Sequence, residues 1–430
     1  MISSLNFQVR IFLKFVNTKW WKFKWSLRSN SGILHIREMA SLGWHGTNIN
    51  GQDMDRYLAT IIPINKMKPD NRSFIKHLSN NYANSPRGLF GTFRINDIID
   101  NELQKPRRGG IILPLSHAGG YALVDETEIV AACDVVEEKL ETFQSRWNVP
   151  TGYHDYRELI DKEDLDILSI TTRPEQHAES LIYAAEQGIK GIFVEKPLCC
   201  SLLEADAIRD ACERNGVMLE FGPPRRNWAV YRQAHQLITE DKLGAVKSVV
   251  GFSGNSIGGH FLDTLLYLLG DPESLISIRG TLGDLHPAED DDSNMRFVRD
   301  TGIRNALIEF GNGTTIHVAD TGIGYDTEVV CQGGIIRVQN DGETLHVRKK
   351  DGGNQAYDPL TIEPVTPWSG TVLKIRELIN SIQTGVPGPS NLRIALLSTE
   401  IGFGLYESHL CGGLAVEPPV PNRERWVSSW

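Results

Sequence analysis

Between residues 109 and 222, short apolar runs alternate with helical stretches, and that alternation restricts the chain to a parallel sheet covered on both faces. The runs are Gly110-Ile111-Ile112-Leu113, residues 128–134 ending in Asp134, residues 164–172, Gly191-Ile192-Phe193-Val194, and Val217-Met218-Leu219-Glu220-Phe221. They are short and mostly apolar, the pattern of strands buried on both sides. Between them, 137–147 carries Leu140, Phe143 and Trp147 at helical spacing. Residues 175–188 place Leu181, Ala184 and Ala185 on one face and end at a glycine. The stretch 201–215 opens on the capping box Ser201-x-x-Glu204 and is expected to turn Leu203, Ala207, Ala211 and Cys212 to the sheet. Right-handed crossovers bring the carboxyl ends of such strands to one ligand-binding edge.

After Gly222 the period changes. A helix over 228–239 groups Val230, Tyr231, Ala234, Leu237 and Ile238. Then 247–252, 306–310, 314–319, 327–331, 335–339 and 344–348 alternate with period two, separated in part by turns such as Asn312-Gly313 and Asp341-Gly342. This predicts an antiparallel sheet, with helices over 261–269 and 372–382 as its covering elements. The fold class expected is α/β: a doubly wound parallel sheet over 107–222, followed by an α+β domain with an open antiparallel sheet over 223–430.

Residues 1–106 are unassigned. They contain the basic and aromatic run Lys19-Trp20-Trp21-Lys22-Phe23-Lys24-Trp25, read as an unstructured extension or upstream sequence, with a membrane-surface or presequence role as the competing reading. The apolar run 9–16 is interrupted by Arg10 and Lys14, which does not make a signal-peptide core. The net charge of -10 argues against nucleic-acid binding, which needs a basic surplus. The six cysteines form no C-x-x-C and no metal-ligand spacing, so no metal is expected and a reducing, cytoplasmic setting is. No run is long enough for a membrane span, and no membrane partner is expected. The acidic run Glu289-Asp290-Asp291-Asp292 lacks the spacing of a calcium loop and reads as a solvated loop.

Four places carry chemistry. Asp134 ends the second strand, where a carboxylate can accept the ribose hydroxyls of a dinucleotide; no cation follows it, which favours NAD over NADP. On its own such an aspartate serves more often as a helix cap. Thr171-Thr172-Arg173-Pro174-Glu175-Gln176-His177 joins a strand end to a helix start, a place for pyrophosphate or ribose or simply a capped helix. Glu195-Lys196-Pro197 puts a lysine at the sheet edge, able to orient a hydroxyl and stabilise charge on its oxygen. Finally, His260 opens an apolar helix, with Asp263 one turn later able to orient its ring.

Taken together, Asp134, Thr171-Thr172-x-Pro174-x-x-His177, Glu195-Lys196-Pro197 and Gly259-His260-x-x-Asp263 resemble the glucose–fructose oxidoreductase, inositol dehydrogenase and MocA family, over about residues 107–430. The resemblance implies a Rossmann domain, an open-sheet domain used for homodimer or homotetramer contacts, and NAD(P)-dependent oxidation of a secondary alcohol on a sugar, cyclitol or related polyol. It implies Lys196 and His260 as catalytic residues, His260 being the base. It implies Asp134, Thr171, Thr172, Pro174, His177, Glu195 and Lys196 around the cofactor, and Arg226, Ser256 and Asp263 around the substrate.

Two departures stand out. Ser256 occupies the place of a common family aspartate. Ile111-Ile112-Leu113-Pro114-Leu115-Ser116 stands where the family has a G-x-G-x-x-G/A turn, with Gly119-Gly120 as partial substitutes. The competing readings are therefore a non-catalytic binding or regulatory homologue, or a defective gene copy, and a family-type hydrolase or lyase that uses NAD in glycoside cleavage.

Overall fold

The computed structural model describes strands at 8–14 and 20–26, and then residues 114, 116–240, 243–253, 259–286, 297–321, 325–350, 358–361 and 369–428. The expected first strand at 110–113, Ser256 and the acidic run at 289–292 lie outside these residues. Near the amino terminus, β1 (Gln8–Lys14) and β2 (Trp20–Ser26) form an antiparallel ribbon in which Val9 pairs with Trp25 and Leu13 with Trp21. No regular element was expected there. The missed signal is a period of two: Val9, Ile11 and Leu13 alternate with polar residues and Phe12, and Trp21, Phe23 and Trp25 alternate with Lys22 and Lys24.

The parallel α/β region runs α1 (His117–Tyr121), β3 (Ala131–Cys133), α2 (Glu137–Trp147), β4 (Thr151–Tyr153), α3 (Tyr156–Lys162), β5 (Ile167–Ile170), α4 (His177–Glu186), β6 (Gly191–Val194), α5 (Leu202–Asn215) and β7 (Met218–Phe221). Strands β3 and β4 pair in parallel, as do β5, β6 and β7 in that order. Strand β6 is buried along its whole length, as its unbroken apolar sequence requires. Helix α5 has the capping box predicted from Ser201 and Glu204. Its buried face is Leu202, Ala205, Ile208, Ala211 and Cys212, whereas Leu203 and Ala207 are exposed. The expected face was rotated by about one residue because Leu203 alone suggested the stripe.

The second region runs α6 (Ala229–Thr239), β8 (Val246–Phe252), α7 (His260–Leu269), β9 (Leu275–Leu282), β10 (Phe297–Arg299), β11 (Ile303–Phe310), β12 (Thr315–Ala319), β13 (Asp326–Cys331), β14 (Gly334–Gln339), β15 (Thr344–Lys349), β16 (Asp358–Leu360), α8 (Gly370–Thr384), α9 (Leu392–Leu410) and β17 (Trp426–Ser428). Eight strands form one sheet in the order β16-β15-β14-β13-β8-β12-β11-β9. All neighbours are antiparallel except β8 and β12, which are parallel. Helix α7 covers this sheet, with Phe261, Leu262, Leu265 and Leu266 fully buried.

Helix α8, expected to cover the same sheet, packs elsewhere. Its Val372, Ile375 and Leu378 join Val124 and Phe193 on the parallel sheet. Helix α9 serves both regions: Ala395 lies in the core of the parallel sheet, and Ile401, Leu405 and Tyr406 lie in that of the antiparallel one. The last helices of the chain therefore return to the first sheet and fix its carboxyl edge.

Candidate functional site at the strand ends

The site is built where β5, β6 and β7 stop side by side. Glu195 N–H donates to Ile170 O (3.0 Å) and Gly222 N–H to Val194 O (2.8 Å), so the residues after each strand remain in register. A Cβ on Gly222 would lie 3.0 Å from Glu195 Cα, so the backbone after β7 can run this close to Glu195 only as glycine. Helix α7 brings in His260 through Gly259, whose φ of +122° suits glycine. A Cβ on Gly259 would also come within 3.1 Å of Lys196 Cβ. Gly259→Ala is expected to destabilise the protein by about 1–3 kcal/mol through backbone strain, read by urea unfolding. An unchanged midpoint would mean that the turn relaxes without strain.

These elements bring Glu195, Lys196 and His260 together. Glu195 is held ionised, at about 2. Burial pushes its carboxyl up, but the His117 ring against it and the Lys196 ammonium outweigh that. His260 is pushed down to about 3, by burial first and then by Lys196 and Arg225, and is therefore a neutral imidazole. Its Nδ1 is buried and has no hydrogen-bond partner among the described residues. A cation, an anion and a neutral proton acceptor thus share one sheet edge, which is what orienting and deprotonating a hydroxyl requires.

The other expected residues divide. Asp134 sits half-buried at the end of β3, and its Oδ1 accepts the Val136 N–H at 2.8 Å in a local turn; it is not the cap of α2, whose N-cap is Val136 with no side-chain cap bond. Thr171 is half-buried and Thr172 exposed at the end of β5, and Pro174 is buried in the turn that follows.

His177 is not a cofactor contact. It is fully buried, with Nδ1 2.9 Å from Pro197 O and Nε2 3.1 Å from Thr172 O, so it ties the end of β5 to the turn after β6. Burial lowers its pKa, and the neutral ring donates to one of the two carbonyls. Arg226 and Asp263 are likewise withdrawn from any substrate. Arg226 Nε donates to Asp263 Oδ1 at 2.6 Å and Nη1 to Asp271 Oδ2 at 2.7 Å, and both Arg226 and Asp263 are buried. Asp263 therefore anchors α7 to the turn after β7 and does not orient His260.

Sequence reasoning missed three groups. His117 and Tyr121 on α1 reach Ser169 and Glu195. Arg225 forks onto Asp341 at 2.8 and 3.0 Å and stacks over the rings of Tyr325 and Trp228. Lys374 pairs with Glu220, both buried. The last pair left a signal in the sequence: an acid inside the apolar run 217–221 and a lysine one place before Ile375 in a buried stripe.

Were a dinucleotide bound along this edge, Asp134 would meet its ribose hydroxyls, and Glu195, Lys196 and His260 its reactive ring. The diphosphate half fits less well. Gly119 and Gly120 lie inside α1, where a Cβ would meet Pro114 and Ser116 at 2.8 Å, or Ile375 at 2.7 Å. Both glycines are thus used up by packing and do not substitute for a glycine turn. Among the described residues no group of His, Cys, Asp and Glu could hold a metal, and no described helix is long and apolar enough to cross a membrane.

Residues 109–222 match the Gfo/Idh/MocA oxidoreductase family, NAD-binding Rossmann fold. Inositol 2-dehydrogenase of Salmonella typhimurium is 30% identical over 130 residues, covering 30% of this chain and 38% of that protein. D-apiose dehydrogenase of Paraburkholderia graminis is 26% identical over 195 residues, covering 41% of this chain and 52% of that protein. The chain thus matches less than two thirds of the length of these curated relatives. In fold it is similar to levoglucosan dehydrogenase in complex with NADH and levoglucosan, with a TM-score of 0.59 and 18% identity over 71% of this chain and 95% of that one.

Proposed function

We propose, from the match of residues 109–222 to the Gfo/Idh/MocA oxidoreductase family, that the chain is an NAD-dependent dehydrogenase acting on a secondary alcohol of a sugar, cyclitol or related polyol. The observation that carries this reading is the grouping of Lys196, ionised Glu195 and neutral, unpartnered His260 at one strand edge. Lys196 orients the alcohol and stabilises charge on its oxygen, and the neutral His260 ring takes the hydroxyl proton. The bound dinucleotide supplies the hydride acceptor. The substrate class follows the names of the relatives, inositol 2-dehydrogenase and D-apiose dehydrogenase. Six free thiols fit a reducing compartment, and the outer face of the eight-stranded sheet is our candidate for homodimer or homotetramer contacts.

Calorimetric titration of NAD, NADH and NADPH into the full chain tests the reading, followed by turnover on sugars and cyclitols. Binding of NAD with a dissociation constant of about 1 mM or tighter and net reduction of free NAD support it. The packed glycines of α1 favour a second reading, a non-catalytic homologue, and no binding to the folded chain would select that one. Glycoside cleavage without net NADH would select a hydrolase or lyase. Asp134→Ala is expected to weaken NAD more than NADPH, because only the former needs a ribose-hydroxyl acceptor. An unchanged ratio removes Asp134 from the site.

A further inference from the structure

Beneath Glu195 lies a row of polar groups that the proposed chemistry does not use. Tyr121 Oη is 2.9 Å from Ser169 Oγ, and Ser169 Oγ is 3.1 Å from His117 Nδ1. His117 Nε2 is 3.3 Å from Glu195 Oε1, and the Lys196 N–H donates to Glu195 Oε2 at 3.2 Å. The His117 ring is buried and stacks on Phe193 with centroids 3.7 Å apart. Its Nε2 approaches the carboxylate outside in-line hydrogen-bond geometry, yet no other acceptor serves it. The row crosses three elements, from α1 through β5 to the residue after β6.

Counting hydrogens gives the row a direction. Tyr121 is half-buried, and its phenol stays protonated because the desolvation of its hydroxyl raises its pKa above the usual range. If Tyr121 donates to Ser169, the single hydroxyl hydrogen of Ser169 is free to reach His117 Nδ1, and the ring hydrogen sits on Nε2, facing Glu195. In the reverse order, Nδ1 would carry the hydrogen and a bare Nε2 lone pair would face a carboxylate oxygen. Two acceptors at 3.3 Å in a buried site repel each other.

We propose that Tyr121, Ser169 and His117 form a directional row of donors that holds Glu195 beside Lys196, with His117 as a positioning residue carrying its hydrogen on Nε2. Held this way, Glu195 keeps Oε2 on the Lys196 N–H and Oε1 against the His117 ring, which leaves the Lys196 ammonium available to the alcohol. The consequence for Lys196 rests on the proposed dehydrogenase reading. The placement of the His117 hydrogen does not.

The test uses the full chain labelled with 15N-histidine, without dinucleotide, at a pH where free histidine is neutral. The His117 signals are assigned by their loss in His117→Gln. Two-bond couplings from the ring nitrogens to the carbon-bound protons show which nitrogen carries hydrogen. A hydrogen on Nε2 with Nδ1 bare supports the row, and a ring carrying hydrogen on Nδ1, alone or with Nε2, overturns it. Turnover supplies the second readout. His117→Phe keeps the stack on Phe193 but has no donor, and is expected to lower kcat by about 10–100-fold, the range lost when an orienting partner is removed. His117→Gln can both accept from Ser169 and donate to Glu195, and should restore most of that loss with the dinucleotide dissociation constant unchanged. Equal kcat in the Phe and Gln variants overturns the positioning role. If the parent chain turns over no polyol, the dehydrogenase reading fails, and the ring hydrogen alone decides the row.

Discussion

Lys196→Ala and His260→Ala are each expected to lower kcat for polyol oxidation by about a hundredfold or more, the share carried by a positioned general acid–base group. The two residues act on one hydroxyl, Lys196 at its oxygen and His260 at its proton. The double variant should therefore lose little more than the worse single one, because removing either member disables the same step. His260 must be neutral to accept a proton. Burial, with Lys196 and Arg225 adding to it, holds it at about 3, so its neutral form predominates over the ordinary working range. The free protein should then lose no kcat/KM between about pH 5 and 8 on account of His260. The same shift has a stability sign. The folded pKa lies below the unfolded value of 6.5, so His260 contributes stability that is lost as pH falls from about 6.5 toward 3. Steady-state kinetics beside thermal unfolding separates loss of chemistry from loss of fold. Near-normal turnover in both single variants would remove these residues from the mechanism.

What the sequence discloses here is local, and what it hides is long-range. The strands ending at Asp134, Thr171 and Glu195 could be read because a short apolar run followed by polar residues is a signal contained within ten residues. Six strands of the large sheet were legible for the same reason. Helix α9 was not, although it is 19 residues long. It packs on both regions at once, so its apolar residues surround it and leave no amphipathic period. Gly402 and Gly404 also lie inside it, and Ile278 packs against Gly404. The placing of helix 372–382 on the wrong sheet has the same origin: a pattern reveals that a helix has an apolar face, but not which sheet meets it.

The candidate site divides along the same line. Glu195, Lys196 and His260 each lie at an element boundary, where the sequence singles them out, and the fold brings them to one edge. Arg226 and Asp263 were assigned to substrate because charged residues near a strand end suggest a ligand. Their partners are each other, 37 positions apart, with Asp271 beside them. His177 failed for a related reason: its partners are backbone carbonyls, which a sequence pattern does not display. His117 was visible as a histidine opening a helix, but only the fold shows that Ser169 and Glu195 lie against it.

Lys374→Met should cost about 3–5 kcal/mol of stability, the penalty for removing one member of a buried ion pair. Lys374 Nζ donates to Glu220 Oε1, Phe221 O and Ser390 Oγ, each at 2.7 Å, and both Lys374 and Glu220 are 1% exposed. Methionine fills most of the volume but leaves three buried acceptors without a donor. Burial pushes the Glu220 carboxyl up against the pull of Lys374, so loss of the lysine drives that group to the neutral acid. The sign of the pH dependence follows. A carboxyl raised in the folded state binds protons there that the unfolded chain has released. The stability it contributes is present at low pH and lost as pH rises through its raised folded value. Glu220→Gln should lack that slope. Replacing both members, Glu220→Leu with Lys374→Met, should recover most of the loss, since apolar residues of similar volume avoid the desolvation of two charges. Urea unfolding at two pH values measures all four proteins. A loss below about 1 kcal/mol in Lys374→Met, the level of an exposed pair, would show that the pair is not desolvated as described. The consequence reaches the site, because Lys374 holds Phe221 O and the next residue, Gly222, packs against Glu195. A slack end of β7 therefore frees Glu195 from one wall, and kcat should fall in Lys374→Met even at temperatures where the variant remains folded.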